Sequence, residues 1–366
     1  MKNTFGASVA VTLFGESHGE GIGAVLDGLA PGIAVDEAFI REKMLLRQGP
    51  AALSTARREP DAVRIVSGVV NGRTTGTPIT LLIENTDTRS GDYSSLRTLP
   101  RPGHADYTAL MKYHGFADER GGGHFSGRLT APLVAAGAIA TAALSELGIR
   151  IGTHVAACAG ISDRPFSDIT ADLDYLENAE LGVLDAKARE EMTAAILAAR
   201  HDGDSVGGIL ETAVLGLPAG VGEPWFDTVE GVLSHILFSI PAVKGVEFGD
   251  GFRLAGMRGS EANDPFRMEN GQVVTGTNRA GGILGGITSG MPLLVRCAVK
   301  PTPSIYREQE TVDLQRGENA TLSLTGRHDP AIVHRARVVA DSVIALALCD
   351  LLAQRFGTDY LASGAK

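Results

Sequence analysis

Three short segments set ionisable side chains among glycines and prolines: Gly15-Glu16-Ser17-His18-Gly19, Arg101-Pro102-Gly103-His104-Ala105-Asp106 and Gly326-Arg327-His328-Asp329-Pro330. An imidazole held in a turn near neutral pH is suited to moving a proton. Ser17 and His18 are adjacent, so on a strand their side chains diverge and form no dyad by sequence alone. The order Gly-Glu-Ser-His-Gly is also not Gly-x-Ser-x-Gly. His18 at a strand end suits a general acid, and Asp106, two residues beyond His104, could orient that ring. A satisfied loop histidine fits either motif taken singly. Asp329 directly before Pro330 reads as the N-cap of the last helix, with proline in the first helical position. Helix N–H groups keep a capping carboxylate ionised, so it could also serve as a base or acceptor. No His-Glu-x-x-His and no nearby cysteine accompanies these histidines, so no metal site is expected.

A second chemistry is anion binding. Arg120-Gly121-Gly122-Gly123-His124-Phe125-Ser126-Gly127-Arg128 puts three glycines between two arginines and ahead of an apolar run to Leu147. Successive glycines let backbone N–H groups approach a ligand, and a following helix N-terminus favours negative charge. A tight loop before a core helix fits equally well on this stretch alone. Arg47, Arg57, Arg58, Arg101, Arg120, Arg128, Arg327, Arg335 and Arg337 lie around the glycine-rich segments of a chain whose net charge is −10. Their grouping in an acidic protein points to a local anion pocket. Lys300-Pro301-Thr302-Pro303-Ser304 could add charge and hydroxyls for a phosphate. Walker A and Gly-x-Gly-x-x-Gly spacings are absent, so neither a P-loop nor a dinucleotide fold is supported.

The elements that must position these groups can be read coarsely. Val9–Leu13 and Gly21–Gly28 read as strands on either side of the His18 loop. Asp36 caps a helix over Glu37–Arg47. Val63–Val70 and Pro78–Glu84 read as paired strands with a turn at Asn71-Gly72. From Asn85 to Gly127 little regular pattern appears, and so long a loop in a compact protein reads as functional. A helix follows with Thr130 as cap, Pro132 in its first turn and Gly148 at its end; its nearly all-apolar surface predicts burial. Ile149–Ser162, Gly207–Leu217, Gly245–Phe252 and Pro292–Val299 read as strands. Asp185–Arg200 reads as a peripheral helix, and Asp227-Thr228-Val229-Glu230 opens another through a capping box. Ser260–Thr277 reads as surface loop, Gly281–Gly290 as a second glycine-dense loop, and Ala331–Leu352 as the last helix. Strand pairs alternating with buried helices predict an α+β fold.

Composition removes several classes. Of 366 residues, 44% are hydrophobic and 21% charged, which suits a soluble protein with a large core. A nucleic-acid binder would carry a basic stripe, and this chain has none. No apolar run reaches membrane-spanning length without charge or glycine, so no membrane partner is expected. The apolar start at Phe5–Val11 is too short for a signal peptide. Cys158, Cys297 and Cys349 are far apart among apolar neighbours, which fits a reducing, cytoplasmic setting.

Taken together, Phe14-Gly-Glu-Ser-His-Gly19, Thr74-Thr-Gly-Thr-Pro-Ile79, Arg101-Pro-Gly-His-Ala-Asp106, Arg120-Gly-Gly-Gly123, Ala242-Val-Lys-Gly-Val-Glu247, Ala280-Gly-Gly-Ile-Leu-Gly-Gly286, Lys300-Pro-Thr302 and Gly326-Arg-His-Asp-Pro330 resemble, in order, the motifs of the chorismate synthase family. The resemblance runs from about Phe5 to the last helix. It implies one domain over 1–366, with a buried helical layer between two antiparallel sheets, assembled as a homotetramer. It implies a 1,4-anti elimination of phosphate from 5-enolpyruvylshikimate 3-phosphate to give chorismate, a shikimate-pathway step that needs reduced FMN and is redox-neutral overall. By matching positions, His18 should protonate the departing phosphate, His104 should sit by the flavin, and Asp329 should assist proton uptake at its N5. Ser126, His124, Phe125, Gly285, Lys300, Pro301, Thr302, Pro303, Ser304 and Arg327 match cofactor-side positions. Arg47, Ser17, Arg101 and Arg128 match substrate-side positions. The segment His124-Phe125-Ser126-Gly127-Arg128-Leu129-Thr130 departs from the usual Arg-Ser-Ser-Ala-Arg-Glu-Thr, Pro241 replaces a common asparagine, and Gln48-Gly49 interrupt an arginine-rich run. The altered loop motivates an alternative, a flavin oxidoreductase on the same scaffold; a third reading, a degenerate phospho-ligand binding protein, is opposed by the intact His18, His104 and Asp329.

Overall fold

The computed structural model describes residues 2–54, 60–86, 98–324 and 328–365. Arg57, Arg58, Arg327 and the charged residues of 87–97 lie outside the described residues. From the N-terminus the elements are β1 (Thr4–Phe5), β2 (Ala10–Gly15), β3 (Gly21–Asp27), α1 (Glu37–Gln48), β4 (Arg64–Ser67), β5 (Val69–Val70), β6 (Arg73–Thr74) and β7 (Ile79–Glu84). Then come α2 (Asp106–Tyr113), α3 (Thr130–Glu146), β8 (Arg150–Cys158), β9 (Ile161–Ser162), α4 (Ile169–Leu176), α5 (Ala186–His201), β10 (Gly208–Leu215), α6 (Val229–Leu237) and β11 (Val243–Phe248). A short α7 (Gly259–Ala262) leads into β12 (Phe266–Glu269), β13 (Gln272–Thr275), β14 (Ile283–Leu284), β15 (Ile287–Thr288) and β16 (Leu293–Val299). The last elements are β17 (Gln309–Asp313), β18 (Glu318–Leu322) and α8 (Val333–Phe356).

Two five-stranded sheets organise the chain, in the orders β1-β2-β3-β7-β4 and β11-β16-β10-β8-β9, with every pair antiparallel. Each sheet turns a period-two apolar face inward: Ile22, Ala24 and Leu26 with Ile79, Leu81 and Ile83 on the first, and Leu293, Val295, Cys297 and Val299 on the second. Between them lie α3 against β3 and β7, and α8 against β8 and β10. These two helices also pack on each other, so both are buried nearly all round. The architecture is therefore the expected helical layer between antiparallel sheets. At the crossing of α3 and α8, a Cβ on Gly137 would stand 2.3 Å from Ser342 Cβ and 2.5 Å from its Cα. Only a residue without a side chain permits that approach.

Several local readings are corrected. Thr130 is the first residue of α3 and its Oγ1 donates to the Gly127 carbonyl, so it does not cap the helix. The cap of α6 is Thr228, whose Oγ1 accepts from Gly231 N, and not Asp227. The helix after Asp329 begins only at Val333 with no side-chain cap, which frees that carboxylate from capping. The patternless segment before Gly127 contains α2, and the polar stretch Ser260–Thr277 contains the β12–β13 hairpin. The Asn71-Gly72 turn joins the short β5 and β6, while the longer β4 pairs directly with β7.

Candidate active site

Strand β2 ends at Gly15, where φ is 95° and a Cβ would stand 2.3 Å from the Gly21 carbonyl oxygen, so no side chain fits. The chain then turns through Glu16-Ser17-His18-Gly19, with Gly19 N–H donating to the Glu16 carbonyl at 3.1 Å. Asn85 Nδ2 donates to the carbonyls of Glu16 and Gly19, both at 3.0 Å. Two further ties come from the glycine run. Ser17 N–H donates to the Gly123 carbonyl at 3.1 Å, and His124 Nδ1–H donates to the Gly15 carbonyl at 2.8 Å. Ser17 and His18 are consequently buried, although they belong to a loop.

Gly121, Gly122 and Gly123 all have positive φ, at 61°, 81° and 51°. Any side chain at Gly121 would collide with the His18 ring at 2.1 Å, and one at Gly122 would reach His104 Cε1 at 3.4 Å. Adjacent glycines thus carry the two imidazoles that the sequence singles out. His104 Nδ1 donates to Asp106 Oδ1 at 2.7 Å. Arg101 grips the same carboxylate through its own N–H, Nε and Nη2. Burial pushes the Asp106 carboxyl up, but hydrogen bonds from Arg101 and His104 outweigh it and hold the group well below the usual carboxylate range. An anion that accepts from Nδ1 fixes the tautomer and leaves Nε2 of His104 for chemistry.

Beside the glycine run opens a cleft of about 480 Å³, within the ~300–1,000 Å³ typical of small-molecule sites. Its described lining includes Arg47, Arg101, Arg128 and Arg335 against only two carboxylates, Asp61 and Asp329, together with Gly121, Ser126, Pro241 and His328. Asp61 receives Arg47 Nη2 at 2.6 Å and also Arg128 Nη1. Burial raises the Asp61 carboxyl, and the two guanidinium groups more than reverse this. Burial lowers Arg47 to about 10, and its buried Nε makes no hydrogen bond among the described residues. Arg335 joins the two sides: Nε donates to the Arg47 carbonyl at 2.9 Å and Nη1 to Asp329 Oδ2 at 2.5 Å. Among the described lining residues guanidinium groups outnumber carboxylates, with Arg101 paired outside the lining to Asp106.

The Lys300–Ser304 segment stands behind the His104 turn. Lys300 Nζ donates to the Gly103 carbonyl, Pro303 Cβ would lie 3.3 Å from a Cβ on Gly103, and Arg101 Nη1 reaches Ser304 Oγ at 3.5 Å. Ser205 Oγ donates to the Thr302 carbonyl, while the buried Thr302 Oγ1 makes no hydrogen bond among the described residues. Phe125 packs edge-on against Tyr113 at 6.0 Å between centroids. Gly285 sits in the β14–β15 turn; its neighbour Gly286 packs on Thr228, at the opposite end of α6 from the cleft residues Ile240 and Pro241. Not every arginine of the grouping faces the cleft. Arg337 is buried against the carbonyls of Leu176 and Ala179, and Arg120 is exposed and paired with Asp118. Sequence reasoning missed Asp61, the carboxylate on which two site arginines converge, because no motif surrounds it.

The family model described as chorismate synthase matches residues 9–353. A chorismate synthase of Methanosarcina acetivorans is 48% identical over 349 residues, covering 95% of each chain. One from Thermococcus gammatolerans is 48% identical over 356 residues, covering 96% of this chain and 97% of its own. A solved chorismate synthase crystal structure is similar with a TM-score of 0.76 at 29% identity, covering 98% of this chain and 96% of that one.

Proposed function

The chain belongs to the chorismate synthase family, a lyase family of the shikimate pathway, and from that premise we propose that it eliminates phosphate from 5-enolpyruvylshikimate 3-phosphate with reduced FMN present. The observation that carries the reading is the pair of imidazoles seated on Gly121 and Gly122 beside an arginine-rich cleft. The substrate has a phosphate and two carboxylates, which suit a described lining that holds Arg47, Arg101, Arg128 and Arg335. Arg47, Arg101 and Arg128 bind and orient it, with Arg335 holding Arg47 and Asp329 in relation to each other.

A flavin nucleotide fits the same donor set: the guanidinium groups of the cleft, Arg47 Nε and Thr302 Oγ1, which have no hydrogen-bond partner among the described residues, and a glycine run without side chains. Ser126, Thr302, Ser304 and Arg327 are the residues proposed to hold it. When bound, reduced FMN supplies the electron density that lets the carbon–oxygen bond break without net redox change. The protein moves the protons. His18 protonates the phosphate as it leaves, Asp106 keeps Nδ1 of His104 protonated so that Nε2 can exchange a proton, and Asp329 assists the uptake of the proton lost from carbon. Burial of Ser17 and His18 keeps water from that proton path.

The chain is read as one such domain over 1–366 and as a homotetramer, supported by exposed aromatics at Trp225, Phe226, Phe252 and Phe266. A cytoplasmic, reducing setting is supported by three free, buried cysteines. The decisive experiment is anaerobic incubation with reduced FMN and the phosphate ester. Chorismate and phosphate should form in equal amounts with flavin unconsumed. Stoichiometric flavin oxidation would replace the lyase reading with an oxidoreductase, and binding without turnover would replace it with a binding protein.

A further inference from the structure

Resting on the reading of His18 as proton donor, we propose that His124 is a positioning residue that sets the His18 loop on the glycine run. Among the described residues, consecutive positions tie down the loop 15–19: the Gly123 carbonyl takes Ser17 N–H, and His124 takes the Gly15 carbonyl. Asn85 also ties it. A carbonyl oxygen only accepts, so the 2.8 Å contact requires the proton on Nδ1 of His124. That nitrogen is therefore occupied with the backbone just before His18. The His18 ring has no slack on the other side, because it lies where a Gly121 side chain would be. The clamp and the glycine surface together leave the imidazole one seat. Release of the Gly15 carbonyl would let the loop lift from Gly121, and a proton donor displaced by about 1 Å loses on the order of 10²-fold in rate.

Side-chain geometry makes this testable. The asparagine amide nitrogen stands where Nδ1 stands, whereas the glutamine amide nitrogen stands where Nε2 does. His124→Asn keeps the clamp; His124→Gln and His124→Ala break it. Each variant is assayed with reduced FMN, its flavin affinity is measured by fluorescence without substrate, and the His18 imidazole resonance is followed in histidine-labelled protein, assigned by its loss in His18→Ala. In His124→Ala and His124→Gln, kcat should fall roughly 10- to 100-fold. Substrate KM and flavin affinity should stay within about twofold, and the His18 resonance should move. His124→Asn should recover most of the lost kcat and the parental resonance. In a His18→Ala background, His124→Ala should cause no further loss. A tenfold weaker flavin affinity with kcat preserved at saturating flavin would overturn the proposal in favour of a cofactor ligand. A fall in His124→Asn as deep as in His124→Ala would also overturn it. Full kcat in His18→Ala with a moved resonance in His124→Ala would remove the role of His18 while upholding its placement by His124. An unmoved resonance overturns the placement whatever His18 does.

Discussion

His104 and Asp106 act as one unit, because a single carboxylate takes both the imidazole Nδ1–H and the Arg101 guanidinium. Asp106→Asn removes the charge that selects the tautomer. It should lower kcat roughly 10²-fold, as His104→Ala should, with little further loss in the double variant. An unchanged kcat in either would remove that residue from the mechanism. His334 behaves in the opposite way. It is buried under the cleft with Ser54 Oγ 3.0 Å from its Nε2, and burial lowers it to about 4. The unfolded chain takes up this proton near pH 6.5, and the folded protein does so only near 4. Between those values the unfolded state binds more protons, so acid favours unfolding, by about 3 kcal/mol at the low end. His334→Gln, which can still meet Ser54, should flatten the fall in thermal midpoint between pH 7 and pH 5. A slope equal to the parent's would show that other groups set it.

Among the elements, α3 and α8 carry the most demanding contact. Alanine in place of Gly137 would gain about 1 kcal/mol of helix propensity, yet its Cβ has to displace Ser342 backbone, at a cost of about 3 kcal/mol or more. Gly137→Ala should therefore lower the thermal midpoint, and Ser342→Gly should not restore it, since the Ser342 Cα and carbonyl remain within 2.8 Å. A raised midpoint in Gly137→Ala would refute the close crossing. Helix α3 was legible from sequence because its nearly all-apolar surface points to burial, and α8 because its apolar positions recur at helical spacing. Strands with a period-two pattern were legible for a similar reason. Asp329 was misread as a cap: Asp-Pro is the usual signal, but here the carboxylate is drawn to Arg335 and the helix starts three residues beyond Pro330. Helix α2 has no buried residue, so it lacks the apolar stripe that would have revealed it. Asp106 was readable because it lies two residues from its partner. Asp61 was not, because its partners Arg47 and Arg128 reach it from α1 and from the turn before α3.

At the scale of the whole molecule, Trp225 and Phe226 are 85% and 93% exposed in the single chain. Aromatic surface of that kind is usually covered by another subunit. Replacing both by glutamate should shift sedimentation from the proposed tetramer to smaller species, and an unchanged sedimentation coefficient would place the interface elsewhere. The pairing of α3 with α8 also has a consequence for how the protein is made. Roughly 190 residues separate Glu146 from Val333. At ~5–20 residues per second, a ribosome needs about 10–40 s to supply the second helix after the first. Through that interval the first sheet already has α3 to cover it, but the face of α3 that meets Ser342 has no mate. The nascent chain carries an open alanine-rich helix face, the kind of surface that holding chaperones bind. Changes that slow translation downstream of Glu146 would lower the yield of native protein without altering a single contact in the finished fold.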